Sequence, residues 1–154
     1  MLRYRLLHPD ILQALGGGGH GARILVADGN YPLSSGSRDG ARRVHLNLAP
    51  DMFRVTDVVE VLVDAVPFEA AHVMMPEDGD EPAIFAEFRA LLPDLVLQPL
   101  DRFQFYDAAR GPDLILAIAT GERRVYANLL LTIGVVTAEI PARDPAPSGD
   151  KEIR

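Results

Sequence analysis

The sequence predicts an α/β fold: one domain with a mostly parallel central sheet covered by helices. Three observations carry that prediction. Short apolar runs bounded by Gly, Pro and Asp recur along the chain, as buried strands require. Segments of helical period separate them, and strands alternating with helices favour parallel pairing over hairpins. The length of 154 residues, 48% hydrophobic and 24% charged, fits a single globular domain that buries roughly 70% of its unfolded surface.

The elements follow in order. Pro9 to Leu15 reads as a helix, since proline is tolerated in a first turn. Arg23 to Ala27 is a buried strand, opened by a glycine cluster and closed by Asp28-Gly29, and Val44 to Leu48 is a second. Ser34 to Arg43, rich in Ser, Gly and Arg, reads as an exposed loop. Thr56 is an expected N-cap, with Asp57, Glu60 and Asp64 on one face and Val58, Val59, Leu62 and Val66 on the other. Ala70 to Met75 is a strand, and Pro82 opens a helix in which Ile84, Phe85, Phe88, Leu91 and Leu92 share a face. Leu95 to Leu97 is a short strand. Asp101 caps a helix that Gly111-Pro112 ends near Arg110. Leu114 to Thr120 is the strongest strand, and Leu129 to Val136 is the last. The domain is expected over residues 1–140, with a solvated, mobile tail over 141–154, where three prolines and few apolar residues stand.

Charge and composition exclude whole classes of function. With Lys+Arg 15 against Asp+Glu 22 the net charge is -7, which argues against nucleic acid as a partner. The absence of cysteine removes disulfide frameworks, Cys-ligated metals and thiol nucleophiles. No stretch approaches the roughly 18 apolar residues of a spanning helix. The N-terminus lacks the apolar core of a signal peptide, so the expectation is a soluble, cytoplasmic protein with no membrane partner.

Few motifs rise above their ordinary structural readings. Gly16, Gly18 and Gly21 satisfy the G-x-G-x-x-G spacing, but a helix precedes them and a strand follows, the reverse of a dinucleotide site. No His-x-His spacing supports a metal, and the expectation is no metal and no cofactor. Glu77 to Glu81 reads as a solvated turn ahead of a helix. His45 and His72, inside apolar runs, read as satisfied core or interface histidines. His20, flanked by Gly19 and Gly21, serves either a structural or a catalytic role, and both stay open at this level. Asp28 stands at the carboxyl end of a strand, where open α/β sheets place their ligands. His20 precedes that same strand, so a folded-back loop or a neighbouring subunit must bring the two together. Arg102 and Tyr106, four apart, share a helix face. Tyr126 and Asn128 place a phenol and an amide near a strand end, a pairing suited to sugar hydroxyls.

Taken in order, these segments resemble the L-fucose mutarotase and D-ribose pyranase family. The likeness rests on G-H-G (Gly19 to Gly21), I-L-V-A-D (Ile24 to Asp28) with Tyr31-Pro32, and V-M-M (Val73 to Met75). It continues through R-F-Q-F-Y (Arg102 to Tyr106) and T-G-E-R-R-V-Y-A-N-L-L-L (Thr120 to Leu131), and covers roughly Pro9 to Val136. The Arg102-to-Tyr106 and Val-Met-Met segments are similar to the fucose branch, whereas Ala127 matches the ribose branch. Gly16-Gly17-Gly18 replaces the last helical turn of relatives, so that helix is expected to end early.

The resemblance implies an α/β sandwich, often assembled into rings, with some sites completed across a subunit boundary. It implies His20 as the proton donor and Asp28, Arg102, Tyr126 and Asn128 as sugar-binding residues, with Tyr106 beside them. The function it implies is an isomerase, an aldose mutarotase interconverting anomers of L-fucose or a similar free monosaccharide by acid–base ring opening and closure. The alternative is a non-catalytic monosaccharide-binding or regulatory protein of the same fold. The expected partners are a monosaccharide and further copies of the chain.

Overall fold

The computed structural model describes residues 1–137, so the expected tail over 141–154 lies outside the described residues. Its strands are β1 (Arg23–Ala27), β2 (Arg42–His45), β3 (Phe68–Met74), β4 (Leu97–Leu100), β5 (Leu114–Ala119) and β6 (Leu129–Ile133). Its helices are α1 (Pro9–Gly17), α2 (Leu33–Gly36), α3 (Val55–Val63), α4 (Ile84–Leu91) and α5 (Arg102–Ala109).

The strands form one six-stranded sheet in the order β2-β5-β1-β6-β3-β4. β1 pairs parallel with β5, β5 with β2, and β3 with β4, while β6 runs antiparallel to both its neighbours. The mostly parallel expectation therefore holds, with one reversed strand near the middle. That reversal has a simple cause. The segment from Thr120 to Asn128 leaves the carboxyl end of β5 and passes the end of β1 without a crossover helix, so β6 enters from the same end. Residues just before β6 and just after β1 consequently meet.

Alternating side chains divide the core between the two faces of the sheet. Ile24 and Val26 of β1, Leu116 and Ile118 of β5 and Leu129 and Leu131 of β6 pack with Ile11 of α1, Val59 and Leu62 of α3 and Phe85 and Phe88 of α4. Leu25, Ala27, Ala117 and Leu130 point the other way, against Phe105 and Ala109 of α5, Leu33 of α2 and Tyr31. The sandwich has three helices on one face and two on the other.

Several local expectations need correction. α1 continues to Gly17 rather than ending at Leu15, and the Gly18 N–H closes it on Leu15 O at 3.1 Å. Each helical glycine costs about 0.5–1 kcal/mol relative to alanine, which this packed helix absorbs. The N-cap of α3 is Arg54, not Thr56, because the Asp57 carboxylate accepts the Arg54 N–H at 2.8 Å. β4 lies at Leu97–Leu100 rather than Leu95–Leu97, and its Pro99 is tolerated because β4 is the sheet edge. The 34–43 stretch is not a plain exposed loop. It contains most of α2 and the start of β2, and buries Gly36, Ser37 and Ala41. The hydroxyls of Tyr31 and Ser37 donate to Gly36 O (2.7 Å) and Leu33 O (2.6 Å). His45 is exposed rather than core. His72 is half-buried, and its Nδ1 has no hydrogen-bond partner among the described residues.

Candidate functional site

The carboxyl end of β1 collects most of the polar residues singled out above. Asp28 directly follows β1 and Asn128 directly precedes β6, and each is only 3% exposed. Their side chains and backbone interlock. The Asp28 N–H donates to Asn128 Oδ1 at 2.9 Å, and Asn128 Nδ2 donates to Asp28 Oδ2 at 3.0 Å. The Asn30 N–H donates to Asp28 Oδ1 at 2.9 Å, which turns the chain away from the strand. Burial pushes the Asp28 carboxyl above its ordinary value, opposed by these amide donors.

Arg102 opens α5, where Asp101 Oδ1 accepts the Gln104 N–H at 2.8 Å and Gln104 Oε1 accepts the Asp101 N–H at 3.1 Å. This capping box fixes the first turn and with it the root of Arg102. Arg102 Nη2 donates to the Tyr126 hydroxyl at 2.9 Å. Tyr126 holds φ 61, a left-handed conformation uncommon outside glycine. One turn along α5, Tyr106 packs edge-to-face on Tyr31 with ring centroids 5.4 Å apart, and the Arg110 guanidinium lies 5.6 Å from the Tyr106 centroid. Tyr31 is buried, its hydroxyl spent on Gly36 O and its pKa pushed up by burial, so it is a wall rather than an acid.

The loop that carries Tyr126 and Asn128 is itself anchored. Glu122 is 1% exposed, and Arg124 donates to both its carboxylate oxygens at 2.9 Å while reaching Glu87 on α4. Burial alone would raise the Glu122 pKa, but the hydrogen bonds from Arg124 hold it below the usual carboxylate range. Thr120 Oγ1 donates to Ala27 O at 2.8 Å. Gly121 fits so closely that a Cβ there would sit 2.3 Å from Ala49 O.

His20 lies elsewhere. Gly21, at φ 82, donates its N–H to Ile133 O at 2.9 Å, which holds the glycine loop at the amino end of β1. The five-residue strand separates it from Asp28 by roughly 16 Å. His20 Nε2 instead sits 2.9 Å and 3.1 Å from the two carboxylate oxygens of Glu69. The structure thus gathers Asp28, Asn128, Arg102, Tyr126 and Tyr106 at one end and leaves His20 at the other.

A hollow of about 510 Å³ beside this group is lined by Gly29, Asn30, Asn47, Thr120 and Arg123, among others. An apolar hollow of about 460 Å³ lies between α1 and α3. Neither is lined by Asp28, Arg102, Tyr106, Tyr126 or Asn128. Among the described residues, no three of His, Asp and Glu converge as a metal-binding group. Sequence reasoning missed Glu69 and the Glu122–Arg124 pair. The contact of Glu69 with His20 carries no spacing signal, because it depends on how the chain folds back, and the local Glu122–Arg124 pair, two residues apart, is indistinguishable in sequence from an exposed charge pair.

Residues 1–136 match the model of the RbsD / FucU transport protein family. The chain is 30% identical over 147 residues to a fucose mutarotase of Danio rerio, covering 87% of this chain and 92% of that protein. It is 33% identical over 141 residues to a D-ribose pyranase of Variovorax paradoxus, covering 88% and 98%. Its fold is similar to that of Bacillus subtilis RbsD complexed with D-ribose, with a TM-score of 0.75 at 25% identity, covering 88% of this chain and 99% of that one.

Proposed function

We propose, from the premise that this chain belongs to the RbsD / FucU transport protein family, that its sugar site is shared between two copies and takes L-fucose or a close analogue. The protein is a mutarotase-type isomerase acting on a monosaccharide. One observation carries the shared site: the sugar-type polar group stands at one end of β1 and the histidine at the other, too far apart for one sugar to touch both. A neighbouring copy that presents its His20 to this Asp28 makes the set complete, in a homo-oligomer whose rotational closure gives a ring.

The chemistry then follows from the side chains. Anomer exchange needs the hemiacetal opened, the carbonyl face turned and the ring closed. The His20 imidazolium gives its proton to the ring oxygen as the bond from that oxygen to the anomeric carbon breaks, the electron pair going to oxygen. The anomeric hydroxyl loses its proton to water and becomes the carbonyl, and closure on the other face reverses each step. Asp28 accepts a sugar hydroxyl, and Arg102, Tyr126 and Asn128 hold others so that the proton paths stay aligned, with Tyr106 bordering them. Positioned acid–base groups contribute on the order of 10²–10⁴-fold, enough for a reaction that already proceeds unaided. No cofactor enters these steps.

The preference for L-fucose is supported by the Arg102-to-Tyr106 and Val73-to-Met75 segments, although relatives of both branches are similar to the chain. As for place of action, a cysteine-free chain suits the cytoplasm. Saturation transfer between the anomer signals of L-fucose tests the reading. The wild type is expected to accelerate exchange and His20→Asn to lose most of it, with sugar affinity kept within about a few-fold. Calorimetric binding of L-fucose by a wild type that gives no exchange would replace this reading with the non-catalytic sugar-binding one.

A further inference from the structure

We infer that Glu69 is the positioning residue for His20 and that the imidazole Nδ1 is the atom that carries the proton. This rests on the reading of His20 as the acid–base group. The end of β6 is clamped on both sides. Ile133 N–H donates to Ala22 O at 2.8 Å on the histidine side, and Gly134 N–H donates to Pro67 O at 2.9 Å on the side of β3. The loop bearing His20 and the start of β3 bearing Glu69 are thereby held across the same strand end. Gly134 keeps the lane open, since a Cβ there would come within 3.2 Å of Glu69 Cβ. Across that lane Glu69 reaches His20 with both oxygens, at 2.9 Å and 3.1 Å, and both reach the same nitrogen, Nε2.

A carboxylate is acceptor-only when ionised, so the shared proton belongs to Nε2. In the neutral ring Nδ1 then keeps its lone pair, and in the imidazolium Nδ1–H is the proton free to leave. The pair is open to solvent, with side chains 61% and 44% exposed, so a sugar held by another copy can approach Nδ1 without Glu69 moving. A carboxylate that fixes the tautomer and ring orientation of a histidine base is a recurring arrangement in acid–base sites. At the other end of β1, Asp28 is held by Asn128 and Asn30 and lies too far from the His20 of its own chain to orient it, which leaves that role to Glu69.

The test joins kinetics to a tautomer measurement. In ¹⁵N-labelled protein above the imidazole titration, His20 (assigned by its loss in His20→Asn) is expected to carry its hydrogen on Nε2. In Glu69→Ala it is expected to sample both tautomers. With L-fucose, Glu69→Ala should lower kcat on the order of ten- to a hundredfold with KM nearly unchanged, because orientation and not binding is lost. Glu69→Gln should restore most of kcat, since the amide oxygen still accepts the Nε2–H. A wild-type His20 with its hydrogen on Nδ1 overturns the inference even if no Glu69 variant folds. So does full kcat in Glu69→Ala while His20→Asn is inactive. Full exchange in His20→Asn would instead overturn the proposed function, and the tautomer measurement would still report on the pair.

Discussion

Asn128→Ala removes two hydrogen bonds from a pair in which each partner is 3% exposed. The bond from the Asp28 N–H is a neutral one, worth about 0.5–1.5 kcal/mol, and the bond from Asn128 Nδ2 to the carboxylate is worth about 1.5–3 kcal/mol. Together they set an expected loss of roughly 2–4 kcal/mol in unfolding free energy near neutral pH, because water has little access to the groups left behind. The loss should depend on pH, and its sign is fixed. Burial raises the Asp28 pKa, so the native state holds that proton more tightly than the unfolded chain does. Its contribution to stability is fully present below the unfolded value and is lost as pH rises through the folded value. The Asn128 amide opposes the rise, so removing it lifts the folded value further and extends the loss. The gap between wild type and Asn128→Ala is therefore smaller near pH 4 than at about pH 7.5. Urea titrations of both proteins at equal concentration measure it, concentration being held because assembly adds to apparent stability. A penalty under about 0.5 kcal/mol, or one that does not change with pH, would refute the interlocked pair.

Two further substitutions follow from the same geometry. Gly121→Ala places a Cβ 2.3 Å from Ala49 O and 2.6 Å from Met52 O, both backbone, so the loop must move and stability should fall by about 1–3 kcal/mol in the same titration. An unchanged midpoint would show that the loop yields freely. Arg102→Ala frees the Tyr126 hydroxyl and should weaken L-fucose binding by calorimetry from a few-fold to roughly tenfold per lost hydrogen bond while leaving stability nearly unchanged. Unaltered affinity would remove Arg102 from the sugar-binding set.

The elements that were legible in the sequence share a physical reason. Ile24 to Ala27 and Leu114 to Ala119 are uninterrupted apolar runs, buried on both faces of the sheet at every position but Ile115, a pattern that marks a central strand. Asp101, a capping residue type, announced the start of α5, and the contact it makes with Gln104 three residues later is purely local. α2 was hidden because a four-residue helix has no periodicity to read, and Ser37 is buried by its own short-range hydrogen bond despite its polar type. The site divides along the same line. Asp28 and Asn128 were legible as strand-end polar residues, but their pairing joins positions 100 apart and depends on β6 entering reversed beside β1. The distance from His20 to Asp28 could be reckoned from strand length. The contact of His20 with Glu69 could not, because it requires the order β1-β6-β3 that no local signal encodes.

The central claim is that one copy's His20 serves another copy's Asp28, and subunit complementation tests it directly. His20→Asn and Asp28→Ala, each inactive in L-fucose anomer exchange, are unfolded together and co-refolded into mixed assemblies. In those assemblies some sites pair an intact His20 from one chain with an intact Asp28 from the other. The account predicts that exchange returns in the mixture to an appreciable fraction of wild type, about a quarter for random two-chain pairing. Mixed assemblies, verified by mass, that stay as inactive as either variant would contradict it.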